Sequence, residues 1–289
     1  MPALDTMNFD DEAVQVIVYG PPKAGKTAVV GKLSYDFDVI WFDGEGGGQT
    51  LTQLPKEQQA RINYFRVVDT PEKPKYIETA LKVMTGLPVK VCHEHGHVTC
   101  PECLSKNLPM STIELGKITR NTVVVWDSLT QLTMSAFFKT AKAGKVDVEA
   151  FKDKFEFDHW GYQGALLNKY LAQTQGATWH NVVISHEASL ELEDGTERVM
   201  PAGGTRNQSR NVARFFGHAV FVSVDNLKHV ANSSTVGKAK VLAGSRTDVK
   251  VDMTTQNPLL PLLKASVANA NRQAPVAAVK PAASILNRN

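Results

Sequence analysis

Apolar residues in this chain fall into short, β-branched runs separated by longer amphipathic stretches. Residues 14–18 hold Val14, Val16, Ile17 and Val18, a pattern that predicts a strand buried on both faces. Similar runs at 39–42, 62–68, 121–126 and 181–185 predict further strands. Helical spacing between them predicts helices from Ala28 and over 76–84, 129–143 and 160–173. Beyond residue 185 the pattern shifts toward strands. Residues 190–199 read as a hairpin turning at Asp194-Gly195, with further short strands at 219–224, 239–242 and 249–253. Strand and helix alternate over the first two thirds, so the expected fold class is α/β, with a mostly parallel, helix-covered sheet.

The same pattern divides the chain of 289 residues. Residues 1–13 form a polar lead-in and 14–264 the core, with a Cys/His-rich insert at 89–108. Residues 265–289, rich in Ala, Pro, Asn and Val, read as a flexible tail. No apolar run approaches the ~20 residues that cross a bilayer, and no basic-then-apolar leader opens the chain, so a cytoplasmic location is expected. The three cysteines all lie between Cys92 and Cys103, which argues against a disulfide framework and for a reducing compartment. Net charge is +3 but uneven: from Arg198 onward thirteen Lys/Arg face three Asp/Glu. That basic third implies a polyanionic partner.

Directly after the first strand comes Gly20-Pro21-Pro22-Lys23-Ala24-Gly25-Lys26-Thr27, which fits G-x-x-x-x-G-K-[ST] at every fixed position. A loop of this length turns its backbone N–H groups inward around a phosphate, and the following helix adds its positive end. Lys26 would reach the β- and γ-phosphates of ATP, and Thr27 would hold Mg²⁺. Thr122 to Asp127 is an apolar strand delivering a carboxylate beside that ion. Ser128 follows Asp127 where some ATPases carry their water-activating Glu, so the base must come from elsewhere. Glu45, after the second strand and followed by three glycines, is the first candidate, and Glu187, after His186, is its rival.

A second constellation lies in the insert. Cys92-x₂-His95 and Cys100-x₂-Cys103, with Pro101 favouring a tight turn, make a Cys₃His set suited to structural Zn²⁺. His97 competes with His95 for the fourth position. Further on, Arg206, Arg210 and Arg214 recur every four residues, so a helix would present them on one face to a phosphate backbone. Phe215 and Phe216 are either base-stacking groups or core.

Taken together, the phosphate loop, the strand ending at Asp127 and the segment Trp41-Phe42-Asp43-Gly44-Glu45 resemble the RecA superfamily core over roughly residues 14–255. More narrowly, the chain resembles short phage-encoded RecA-like proteins of single-strand annealing and recombination. It differs from RecA in lacking the N-terminal protomer-linking helix and the C-terminal DNA-gating domain, and in having His186 where RecA carries a γ-phosphate-sensing Gln. The resemblance implies ATP hydrolysis with Glu45 as the water-orienting residue, single-stranded DNA as partner and a homo-oligomer. It places a second DNA loop at 206–214 and a first at 139–154, with Lys139, Lys142 and Lys145. It also implies that Arg246 acts in trans on a neighbour's triphosphate. The tail is a candidate contact for a single-strand-binding protein. The alternatives are an annealing module using ATP only as a structural switch and a P-loop small-molecule kinase.

Overall fold

A computed structural model describes residues 12–146, 155–191, 195, 197–234, 241–246 and 249–264. The first strand is β1 (Gln15–Gly20), buried along its whole length. It lies at the centre of a sheet whose parallel members include β2 (Asp38–Asp43), β3 (Ile62–Arg66), β6 (Thr122–Asp127), β7 (His180–Glu191) and β9 (His218–Asp225). With β10 (Lys228–Asn232) the order is β10-β9-β1-β7-β6-β2-β3. β10 and the two-residue β11 (Gly244–Ser245) pair antiparallel with β9, and β8 (Glu197–Pro201) pairs antiparallel with the outer half of β7. A separate antiparallel pair, β4 (Val89–Cys92) with β5 (Met110–Ile113), carries the insert.

Alternation along each buried strand feeds two cores. Ile17, Val124 and Trp126 face one side, where α3 (Tyr76–Val83), α5 (Leu129–Gly144), α6 (Phe157–Gln175) and α7 (Arg206–Val212) cover the sheet. Val16, Val18, Val123 and Val125 face the other, against Val29 and Val30 of α1 (Lys26–Gly31) and the C-terminal Leu259, Leu262 and Leu263. Trp126 stacks on Phe42 at 4.4 Å, so aromatic area fixes β2 against β6 beneath the edge where their carboxylates emerge. Two further helices, α2 (Lys56–Ala60) and α4 (Pro101–Ser105), are single short turns.

Several expectations change. Residues 249–253 form no strand: Ser233 Oγ bridges Val249 O and Val251 N, while Val251 is buried in the second core. An apolar run can be buried without a ladder when a side chain satisfies its backbone. Of 239–242 only residues 241 and 242 are described, as a single bridge from Val241 to Val199. The strand expected at 181–185 and the first strand of the 190–199 hairpin are one continuous β7. Most of that hairpin's turn, including Asp194, lies outside the described residues, as do residues 1–11 and the tail from 265. The insert continues past residue 108 to Ile113, because β5 is needed to pair β4.

Candidate nucleotide site and metal centre

Parallel pairing brings the C-terminal ends of four strands into one row. Gly20 pairs with His186, Asp43 with Asp127, and Asp127 with Ile184. The loop after β1 begins at Gly20, whose φ of 152° leaves a Cβ 1.9 Å from Val222 O, so only glycine fits there. Lys26 is buried; its Nζ donates to Gly20 O at 2.9 Å and Pro21 O at 2.8 Å, folding back across its own loop. Burial lowers its pKa, against the opposing pull of Glu45, Asp127 and Glu187. Thr27 Oγ1 donates to Asp127 Oδ2 at 3.2 Å.

Asp127 is almost fully buried, and burial together with the Asp43 and Glu45 carboxylates pushes its pKa up to about 8, with Thr27 and Lys26 pulling the other way. Three carboxylates crowded around one lysine and a hydroxyl form a donor set short of positive charge, which is what a hard divalent cation supplies. Thr27 and Asp127 therefore fit Mg²⁺.

Asp43 is a residue that motif reading missed. Its buried carboxylate accepts N–H bonds from Glu45 (2.8 Å), Gly46 (2.7 Å) and Gly48 (2.9 Å), and the Tyr64 hydroxyl at 2.5 Å. It folds the glycine turn that presents Glu45; the signal was an Asp heading a glycine-rich turn. Glu45 Oε1 accepts a hydrogen bond from Ser128 Oγ and lies 3.3 Å from His186 Nε2. The His186 backbone N–H donates to Thr130 Oγ1 at 3.0 Å, while its Nδ1 is buried without a partner among the described residues. The rival Glu187 sits one residue along β7; burial raises its pKa while Lys26 pulls it down. A second missed residue is His229 on β10, whose Nδ1 lies 2.8 Å from Ala24 O and whose ring fills the space a Gly25 Cβ would take.

The remaining candidates stand apart from this edge. Arg206 and Arg210 are exposed on α7, but the α-helix ends at Val212 and Arg214 continues in a 3₁₀ turn, its guanidinium 4.8 Å over the Phe215 ring. Phe215 and Phe216 are buried in the first core and cannot stack on bases, because the strand they lead into draws them under the sheet. Lys139 and Lys142 belong to α5, not to a loop: Lys139 pairs with Glu78 at 2.5 Å and Lys142 donates to Glu72 O at 2.8 Å. Lys145 caps that helix, and residues 147–154 of the expected first DNA loop lie outside the described residues. Arg246 is exposed beside Gly217 at the start of β9, the opposite end of the strands from the phosphate loop.

In the insert, Cys92, His95, Cys100 and Cys103 place one ligand atom each within 4.8 Å of one another. His95 Nδ1 lies 3.3 Å from Cys103 Sγ and 3.6 Å from Cys100 Sγ. Tetrahedral Zn²⁺ with bonds near 2.3 Å needs ligands about 3.8 Å apart, so the set fits that ion. His97 is not in it: its Nε2 bonds Val68 O at 2.5 Å, and the alternative between the two histidines falls to His95. Burial pushes the Cys100 thiol up, but hydrogen bonds from Cys103, His95 and Cys92 outweigh it and bring it down to about 7, whereas burial together with Cys100 and Cys92 pushes Cys103 up to about 12. The knuckle is stitched to the sheet, since Val68 N–H donates to His95 O at 2.9 Å.

No protein-family model matches the chain, and no curated protein matches it. Among solved structures, the chain is similar to an ATPase from the type III secretion system of pathogenic bacteria. The TM-score is 0.41 and the identity 13%, covering 73% of this chain and 52% of that one. Among the described residues no helix is long and apolar enough to cross a membrane.

Proposed function

We propose that this chain is a RecA-like, Mg²⁺-dependent ATPase that binds single-stranded DNA and acts in phage recombination or strand annealing as a homo-oligomer. The observation that carries the ATPase reading is the meeting of Lys26, the Thr27–Asp127 pair and Glu45 on one sheet edge. Thr27 and Asp127 would hold Mg²⁺, which would supply charge neutralisation at the phosphates. Lys26 exchanges its two loop carbonyls for the β- and γ-phosphate oxygens. Glu45, held by Ser128 and His186, would orient the attacking water, and His186 would sense the terminal phosphate.

The DNA reading rests on the basic C-terminal third and on continuity of the chain. β7 leaves the nucleotide edge at His186, turns through β8 and leads into α7 with its exposed arginines. Arg246 would act on a neighbour's nucleotide and the tail on a single-strand-binding protein. The Cys₃His centre would be structural, all four positions being protein.

The test is ATP turnover with and without single-stranded DNA, on wild type and Lys26→Ala. Turnover by wild type, raised by DNA and lost by a factor of about a hundred or more in the folded variant, is expected. Equal turnover by both proteins would overturn the ATPase reading.

A further inference from the structure

β10 returns from the nucleotide edge with a side chain turned against the loop of residues 20–27. β9 pairs with β1 as far as Tyr19, opposite Phe221, and then runs on to Asp225, past the point where β1 gives way to that loop. A two-residue turn at Asn226 and Leu227, with φ of 47° and 63°, reverses the chain and sets His229 opposite Val224. Side chains alternate along β10, so His229 shares a face with Ala231, which packs against the second core. Ala24 of the loop belongs to that same core. The hairpin thus stands beside the loop, and His229 is the side chain that meets it.

His229 Nδ1 lies 2.8 Å from Ala24 O, and since a carbonyl only accepts, Nδ1 carries the proton and donates. The ring also covers Gly25, where an added Cβ would come within 2.9 Å of Nδ1. Gly25 sits at φ 88°, a left-handed conformation that glycine adopts freely. The Ala24–Gly25 peptide is trans, so its C=O and N–H point in opposite directions. Fixing Ala24 O on the His229 side turns the Gly25 N–H to the other. Among the described residues that N–H donates to no group. Gly20 O and Pro21 O, by contrast, are turned toward Lys26. His229 is itself exposed, so its ring adds little to the core it stands beside.

Resting on the ATPase reading above, we propose that His229 is a positioning residue for the nucleotide: by holding Ala24 O from outside, it aims the Gly25 N–H into the loop as a donor to a phosphate oxygen of ATP. His229 touches no phosphate in this arrangement. Its contribution is preorganisation, because a loop peptide left to rotate must be ordered when the anion arrives. The bond is made equally with substrate and transition state, so it acts on affinity rather than on the chemical step.

The test removes the donor and keeps the shape. Asn and Leu have nearly the same outline, and Asn Nδ2 occupies the place of His Nδ1, whereas Leu carries no donor there. Equilibrium binding of a fluorescent ATP analogue with Mg²⁺ and steady-state ATP turnover are measured on wild type, His229→Leu and His229→Asn. Lys26→Ala is the reference, and melting temperatures without nucleotide check folding. His229→Leu should weaken nucleotide binding about ten-fold, with KM rising in step and kcat at saturating ATP falling far less. His229→Asn should restore affinity to within about three-fold of wild type. Wild-type affinity in His229→Leu, with Lys26→Ala impaired, would overturn the positioning role and leave the nucleotide reading standing. Equal weakening in His229→Leu and His229→Asn would also overturn it, assigning the ring to packing over Gly25 alone. Absence of nucleotide binding by folded wild type would overturn the ATPase reading, and this inference with it.

Discussion

The nucleotide edge and the Cys₃His insert both gather ligands around an expected cation, but they are built in opposite ways. The edge takes Lys26, Glu45, Asp127 and His186 from four strand ends scattered over 160 residues, and the register of the sheet brings them together. The insert takes all four ligands from residues 92–103, with only one short hairpin beneath them. In the first, two buried cores fix the geometry before any ion arrives, at the cost of forcing carboxylates together. In the second, three buried thiols and a histidine rest on one hairpin and a few hydrogen bonds to the segment after β3, and an ion would supply the rest. The edge should therefore tolerate loss of its cation with its fold intact, and the insert should not.

That contrast can be broken most forcefully at the edge. Glu45→Gln keeps the size of the side chain and removes its basicity, so hydrolysis should fall about a hundred-fold or more while ATP affinity holds. Steady-state turnover and equilibrium binding together check this, and Glu187→Gln should turn over normally. If Glu187→Gln is the dead variant, the water is oriented from β7 and not from the glycine turn.

At the insert, elemental analysis should find one zinc per chain, absent from Cys103→Ser. Hydrogen exchange should then show protection lost across 89–113 and retained in β1 and β6, because the main cores do not include the thiol cluster. Loss of protection throughout the sheet would mean that the insert supports the whole fold. Because Cys100 must give up a proton held at about 7 and Cys103 one held at about 12, metal affinity should fall as the solution is acidified.

The smallest effect concerns the strain of gathered carboxylates. Asp127 titrates near 8 in the folded chain against 3.8 for a free side chain, so the native state binds more protons than the unfolded state between those values. Stability of the metal-free protein should accordingly fall as pH rises through that window, and Mg²⁺ should restore it at the alkaline end. Thermal unfolding across pH, with Asp127→Asn as control, measures this. The variant's melting temperature should vary by a few degrees less, and an equal dependence in both proteins would remove Asp127 as the cause.

Much of this was legible along the chain. The segment from Gly20 to Thr27 is contiguous, so its spacing alone singled it out as a candidate phosphate loop, and the valine-rich runs at 14–18 and 121–126 marked strands that are buried on both faces. The metal knuckle was equally readable, except that His95 and His97 differ only in which way a turn points their rings. Folding resolved that choice by giving His97 to Val68 O. Lys139 and Lys142 looked like a basic loop, yet their helix packs against α3, where Glu78 accepts Lys139. Residues 249–253 looked like a strand, and only a serine from elsewhere showed that burial there needs no ladder.

By itself, then, the sequence determined the elements whose pattern is local: the glycine-lysine loop between β1 and α1, the buried strands and the Cys/His spacing. Only the tertiary structure decided that Asp43 folds the turn bearing Glu45, that His229 closes over Gly25, and that Phe215 and Phe216 are core while Phe157 and Trp160 are surface. Each of those outcomes depends on which strand or helix comes to lie alongside. That is set by burial summed over the whole sheet, which no single stretch of residues contains.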